Sequence, residues 1–397
     1  MEWLTEAIFR GQGKFPLQQQ SQKPTIPAPY PQALPIGCPN PKEAPMIPVF
    51  DGHNDILYHI GANPGQREAI WLRGEGAWQM DLPRMQKGGF AGGFFAVYIA
   101  SPTEFDAPAA LVAMASPPYD LPLPALINAD AALPVAMELI GQLMWMERAS
   151  KGAFKICRSV RDLRDCLKSG TISAVMHFEG AEAIGENLDA LYQFHAMGLR
   201  SLGPVWSRPT IFGHGVPFAF PSGPNTGLGL TPPGLDLIRA CNELRIMVDL
   251  SHLNESGFWD VAKTSTAPLV ATHSNVNVLC PSSRNLTDRQ LHAIRDTGGM
   301  VGLNFATCFL RADGLDGEDM TLDPMLRHLD YLLAQLGEDH VGLGSDFDGA
   351  TVPQGIKDVA GLPVLVRAMQ AHGYGPDLMT KLAHENWFAL LDRTWGG

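Results

Sequence analysis

Residues 49–57 read VFDGHNDIL. An apolar lead-in, Met46 to Phe50, passes into His53 and Asp55 with only Asn54 between them. On a strand, residues two apart project to the same side, so His53 and Asp55 can act on one object from one strand. A strand that ends in an imidazole and a carboxylate is informative only if other strands do the same.

They do. Seven more short, nearly all-apolar runs follow: GGFAGGFFAVYIA (88–100), ISAVMHFEGA (172–181), LRSLGPVW (199–206), RIMVDLSH (245–252), APLVATHS (267–274), GMVGLNFA (299–306) and HVGLGSDFDG (340–349). Continuous apolar runs of this length are the mark of strands covered on both faces. Amphipathic helical stretches such as LDALYQFHAMG and LDPMLRHLDYLLAQLG separate them. Strand–helix alternation implies a parallel sheet, and eight units imply an α/β fold: a closed (β/α)8 TIM-like barrel, with an open doubly wound sheet as the alternative.

The length of 397 residues suits one barrel of ~250 residues with additions. Residues 1–47 are rich in Pro and Gln from residue 16 onward and read as an N-terminal arm, since Pro removes backbone donors and disfavours helix. Residues 48–397 read as the barrel, with long βα-loop insertions at 101–171 and 207–235. The second insertion is Gly/Pro-rich and too long for a plain connector.

A formal net charge of -12 sets the chain against phosphate backbones and anionic lipid, so neither nucleic acid nor membrane is an expected partner. Six scattered cysteines without a CxxC pair do not form a disulfide framework. The stretch MEWLTEAIFRGQGKF lacks the pattern of a secretory signal, and no ~18-residue apolar run occurs. The expected location is the cytoplasm.

In a barrel, reactive groups gather at the C-terminal strand ends. Here these are His53 and Asp55, Glu179, His252, His273, and Asp346 with Asp348. Each has an ordinary explanation when taken alone. SHLN could be a helix N-cap with His252 incidental, and GSDFDG a turn capped by its Asp residues. Together they are harder to dismiss, because buried carboxylates require a partner or a cation. Imidazole with carboxylate suits zinc or a similar divalent ion. Five ligands exceed what one catalytic zinc with an open position uses, and they suit two ions. The expected arrangement puts His53 and Asp55 on one ion, His252 and His273 on the other, and Glu179 between them as the bridge. A water shared by the two ions would be acidified. Asp346 is placed to take its proton and pass it on, while Asp348 reads as a structural cap.

The motifs FDGHND, HFEGAEAIG, IMVDLSH, THSN followed by SSRN, and GLGSDFDG also resemble the membrane (renal) dipeptidase family, a branch of the amidohydrolase superfamily. The similarity runs in order from about Val49 to the C-terminus. It implies a zinc (β/α)8 barrel that cleaves dipeptides, often with a D-residue at the C-terminal position. Its metal ligands fall on His53, Asp55, Glu179, His252 and His273, its catalytic Asp on Asp346, and its Arg for the substrate's C-terminal carboxylate on Arg284. A guanidinium fork matches a carboxylate with two bonds. One departure stands out. Animal members carry a carbonyl-binding His where LGPVWSRP has Trp206. Metal alone could polarise the carbonyl, or His214 or Arg208 could replace the lost donor; Trp206 itself could be a pocket wall.

The resulting expectation is a binuclear metallo-dipeptidase for L-Xaa-L-Xaa and L-Xaa-D-Xaa substrates. One alternative is an amidohydrolase for another amide, such as an N-acyl amino acid. The other is a metal-bearing barrel that binds without catalysing. A barrel with an N-terminal arm is also compatible with a homodimer.

Overall fold

The computed structural model describes residues 46–101 and 107–396. The N-terminal arm expected at 1–47 lies almost wholly outside them. All eight apolar runs form strands: β1 (Val49–Asn54), β2 (Phe90–Tyr98), β3 (Ile172–Glu179), β4 (Leu199–Gly203), β5 (Met247–Val248), β6 (Val270–Ala271), β7 (Met300–Asn304) and β8 (Val341–Gly344). Every pairing among them is parallel, and β8 returns to β1 through the Asp51–Leu343 register. The remaining seam, between β5 and β6, is joined by a parallel bridge from Asp249 to Val270 and by the Leu250 N–H donating to the Val270 carbonyl at 2.8 Å. The doubly wound alternative is therefore replaced by a nearly closed barrel.

Helices cover the outside. Their starts follow from local chemistry. Asn128 caps helix Ala129–Ala149, Thr231 caps Pro232–Leu244, and Asn254 caps Glu255–Thr264, each accepting a hydrogen bond from a backbone N–H of the first turn. The cap in SHLN is thus Asn254, which leaves His252 available for other work.

The two ends of the barrel differ. Its base is plugged by Phe50, Phe94, Val175, Met247, Val270 and Met300, packed against Trp387 and Phe388 of the C-terminal helix Asn386–Trp395. Phe50 meets Phe94 and Phe388 edge-on, at centroid distances of 5.6 and 5.3 Å. The Trp387 indole N–H donates to the Leu343 carbonyl at 3.0 Å, satisfying the only polar atom of that side chain. With the base filled by these side chains, His53, Glu179, His252 and His273 come together at the opposite end.

The two insertions meet over that end. Tyr119–Asp120 pairs antiparallel with Ala219–Phe220, and the Leu121 N–H donates to the Phe218 carbonyl at 2.9 Å. A further short strand, Phe154–Ile156, adds to β3 outside the barrel. The sequence reading foresaw neither of these pairings.

Candidate metal centre

β1 brings its two predicted ligands together. His53 Nε2 lies 3.4 Å from Asp55 Oδ2 and 3.4 Å from Glu179 Oε1. Asn54, between them, turns to the neighbouring strand and donates to the Phe94 carbonyl at 3.0 Å. Glu179 ends β3, where Gly180 takes φ +99, a conformation that lets the chain turn away directly behind the carboxylate. Glu179 Oε1 is also 2.9 Å from His252 Nε2 and 3.7 Å from His273 Nε2. The ligand atoms of His53, Glu179 and His273 all lie within 4.8 Å of one another, as do those of His53, Asp55 and Asp346. All five expected ligands are buried.

Hydrogen bonds decide which nitrogen of each imidazole is free. Thr272 Oγ1 is 2.6 Å from Asp249 Oδ2, to which it must donate, so it accepts from His273 Nδ1 at 2.8 Å. His273 therefore carries its proton on Nδ1 and a lone pair on Nε2. Arg284 is a pure donor, and its Nη2 lies 3.3 Å from His252 Nε2. His252 Nε2 also faces Glu179 Oε1 at 2.9 Å, and its Nδ1 lies 2.9 Å from Ser207 Oγ; with the proton on Nδ1, the Nε2 lone pair is the one left for a cation. Both Nδ1 protons are tied back into the protein and both Nε2 lone pairs face the centre, the form in which imidazole binds metal.

The electrostatics separate the three imidazoles: burial opposes the charge of His53, but Glu179 and Asp55 outweigh it and hold that ring well above its ordinary value, whereas the other two move down. Burial, then the Arg284 charge, pushes His252 down to about 4, and burial with the neighbouring cations holds His273 well below its ordinary value. Both rings are neutral. Burial opposes ionisation of Glu179, but the His53 charge outweighs it and keeps the carboxyl well below the usual range. Burial raises Asp55 to about 7, with Glu179 adding to the rise. His53 buries both ring nitrogens without a hydrogen-bond partner. Convergent lone pairs, a shared carboxylate and an orphaned buried imidazole fit a divalent cation at this position.

Asp346 stands beside the cluster in the turn after β8. It takes φ +59, its N–H donates to the His53 carbonyl at 3.0 Å, and Asn304 Nδ2 donates to its Oδ2 at 2.9 Å. Burial raises its carboxyl above the ordinary value, against the pull of His53. Gly349 closes the turn, and any side chain there would collide with the Asp55 and Asp346 carboxylates. Asp348 accepts from the Gln79 N–H at 2.6 Å and also reaches the cavity wall, so the structural role foreseen for it is present.

Above the cluster lies a cavity of about 330 Å³. Its wall includes Tyr98, Trp206, Phe218, Arg284 and Phe309, together with Asp55, Glu179, His252 and Asp346. Trp206 packs on Tyr98 at 5.1 Å, on Phe218 at 5.7 Å and on His252 at 5.8 Å. Arg284 is buried, with Nη1 on the Ser251 carbonyl, Nη2 on the His273 carbonyl at 3.2 Å, and its guanidinium over the Phe309 ring at 5.4 Å. Its Nε has no protein partner. His214 is not among the lining residues, and its Nδ1 bonds the Gly229 carbonyl at 3.1 Å. Arg208 is also spoken for: it is buried on Glu182, Ser101 and the Ile99 carbonyl. Neither one supplies a donor beside the cluster.

The bracing residues Asp249, Ser207, Thr272 and Asn304 were not singled out from sequence. Only Asp249 left a trace there, as a carboxylate inside the apolar run IMVDLSH.

Known proteins resemble this chain over most of its length. A metallopeptidase structure from Rhodobacter sphaeroides, liganded with a phosphinate mimic of L-Ala-D-Ala, shares 62% identity with this chain at a TM-score of 0.88. The alignment covers 88% of this chain and all of that one. The structure of a dipeptidase of family M19 shares 61% at a TM-score of 0.87, over 89% of this chain and all of its own. A Klebsiella pneumoniae protein encoded in the pqqA 5′ region is 49% identical over 247 residues, 62% of this chain and 91% of that protein. The family model described as membrane dipeptidase matches residues 44–394, and the chain belongs to that family, peptidase family M19.

Proposed function

We propose that the protein is a binuclear zinc dipeptidase, with His53, Asp55, Glu179, His252 and His273 as ligands and Glu179 shared between the ions. One observation carries this reading: the lone pairs of His252 and His273 and the Glu179 carboxylate converge on one point beneath a small cavity that also holds Asp346 and Arg284. When bound, the two ions would supply Lewis acidity at the scissile carbonyl and acidify a water.

The protein's own groups complete the chemistry. Arg284 receives the substrate's C-terminal carboxylate. Main-chain carbonyls already hold its Nη1 and Nη2 and leave Nε as the donor without a protein partner, so little side-chain entropy is lost on binding. Asp346, oriented by Asn304, takes a proton from the attacking water and delivers it to the departing amine nitrogen. Its raised carboxyl lies closer to neutrality than a free Asp, which suits a group that must both accept and release a proton. Trp206, Phe218 and Phe309 wall the cavity and limit water. The commitment of His214 to the Gly229 carbonyl and of Arg208 to Glu182 supports polarisation of the carbonyl by metal alone. The relative liganded with an L-Ala-D-Ala mimic supports extending the substrates to a C-terminal D-residue.

A cytoplasmic location belongs to the same reading. Cys157, Cys166, Cys241, Cys280 and Cys308 are free thiols, as a reducing compartment would leave them, and among the described residues no helix is long and apolar enough to cross a membrane.

The test is a metal-to-protein ratio on purified enzyme combined with a panel of dipeptides and N-acyl amino acids. Two zinc ions per chain and turnover confined to substrates with a free amino group are expected. Turnover of N-acyl amino acids alone would overturn the dipeptidase assignment.

A further inference from the structure

One acidic group on the cavity wall takes no part in the chemistry above. Asp316 lies between the short helix Thr307–Leu310 and helix Asp323–Leu336 and is half-buried. Two threonine hydroxyls hold its carboxylate: Thr307 Oγ1 donates to Oδ1 at 3.0 Å, and Thr351 Oγ1 donates to Oδ2 at 3.0 Å. The Thr307 hydroxyl also accepts from the Gly317 N–H at 3.1 Å, which commits its own proton to Asp316. The Asp316 N–H donates to the Met114 carbonyl at 3.1 Å, tying this loop to the insertion over the cavity. Asp316 is thus held rigidly and from several sides.

Among the described residues it has no cationic partner. Arg311, the nearest cation in sequence, turns to Asp313 and Asp319 instead. Burial raises the Asp316 carboxyl, Glu318 adds to the rise, and the two threonines oppose it. Each threonine occupies one lone pair of one oxygen, and the carboxylate keeps further acceptor capacity. A carboxylate drawn part-way out of water without a cation is an unfavourable arrangement unless a ligand brings one.

The position of Asp316 selects which part of a ligand that would be. The substrate's α-amino group is one residue from the scissile bond and must lie near the cluster, where Asp55 and Asp346 stand. Asp316 is farther off, at the wall formed by Met114, Cys308 and Thr351, and its charged neighbour is Glu318 rather than any member of the cluster. Among the described residues, Arg284 is the only Lys or Arg side chain on the cavity wall. A long, positively charged side chain reaching away from the scissile bond would therefore find its counter-charge at Asp316.

We infer that Asp316 is a specificity residue that selects dipeptides carrying a basic side chain: lysine, ornithine or arginine. The inference rests on the dipeptidase reading and names the substrate class within it. Norleucine matches the length of lysine without its charge, so Ala-Lys against Ala-Nle and Lys-Ala against Nle-Ala isolate the charge at each position. In the zinc-loaded enzyme, lysine should exceed norleucine in kcat/KM by roughly tenfold or more in one of the two pairs, chiefly through KM, as expected of a desolvated ion pair. Asp316→Asn should abolish that advantage while leaving the norleucine dipeptides within about twofold, a built-in control for folding. Thr351→Val, which removes one of the two bracing hydroxyls, should reduce the lysine advantage selectively. Norleucine dipeptides turned over without a lysine preference at either position, or a preference that survives Asp316→Asn, would overturn the role of Asp316 and leave the dipeptidase reading standing. Hydrolysis of none of the four would overturn both.

Discussion

The Nε2 atoms of His252 and His273 lie 3.1 Å apart, and both carry lone pairs. Two acceptors at that distance repel unless a cation lies between or beside them. Removing metal should therefore lower stability as well as activity. A chelator-treated sample is expected to lose all dipeptide hydrolysis and several degrees of Tm, and zinc should restore both. Full turnover in a sample verified as metal-free would refute the metal assignment.

Asp346→Asn keeps the size of the side chain and its contact with Asn304 but removes the basic oxygen. The variant should retain its metal and lose about 10²–10⁴ in kcat, with KM little changed. Steady-state kinetics beside elemental analysis would decide the point, and wild-type kcat in the metal-loaded variant would rule out proton transfer through Asp346.

Arg284→Lys replaces a fixed fork by a single point charge. The Ser251 and His273 carbonyls lose matched donors, and the substrate carboxylate loses the Nε donor beside them. KM for dipeptides should rise by at least about tenfold, with a smaller change in kcat. A substrate lacking the C-terminal carboxylate should be nearly indifferent to the substitution; equal losses on both substrates would point to a structural role.

Arg208 and Glu182 form a fully buried pair at 2.7 Å. Burial raises the Glu182 carboxyl, and Arg208 is what offsets it. Arg208→Met strands the carboxylate and should cost about 3–5 kcal/mol, whereas the double variant with Glu182→Gln should recover part of that loss. Denaturant melts of the two variants and the wild type would show it. If the single and double variants were equally unstable, the pair would not be coupled.

His328 offers a pH test away from the cluster. Its Nδ1 accepts from the Val276 N–H at 3.2 Å and its Nε2 donates to the Leu310 carbonyl at 3.1 Å, which requires the neutral ring. Burial lowers it to about 3 from an ordinary value of 6.5. The folded form thus resists a proton that the unfolded chain accepts. The stability this group contributes is complete above pH 6.5 and declines as pH falls from there toward 3, by up to about 1.4 kcal/mol per pH unit. His328→Asn should be less stable at pH 7 yet lose less stability between pH 7 and 5. Parallel slopes of urea midpoint against pH for variant and wild type would remove His328 from this role.

Much of this was legible in the chain before any folding was considered. Strands covered on both faces must be apolar along their whole length, so the eight runs from Val49 to Gly349 announced a parallel sheet, and polar residues at their ends had to be exceptional. His53, Asp55, Glu179, His252, His273 and Asp346 could be picked out because each interrupts such a run at the same relative place. What stayed hidden was contact between distant segments. Arg208 was a candidate for the substrate until Glu182, Ser101 and the Ile99 carbonyl took a hydrogen bond from each of its three nitrogens. His214 looked available until its loop folded onto Gly229. The pairing of Tyr119–Asp120 with Ala219–Phe220 joins two irregular loops that carry no shared periodicity.

The sequence by itself determined the barrel and the kinds of side chain at its mouth, because hydrophobic period and strand-end polarity are local properties of the chain. Only the tertiary structure decided which imidazole nitrogens are free and which arginine faces the cavity. It also decided that Asp316 goes without a counter-charge among the described residues. Those depend on hydrogen bonds between segments far apart in the chain, and each donor or acceptor used in one such bond is lost to every other.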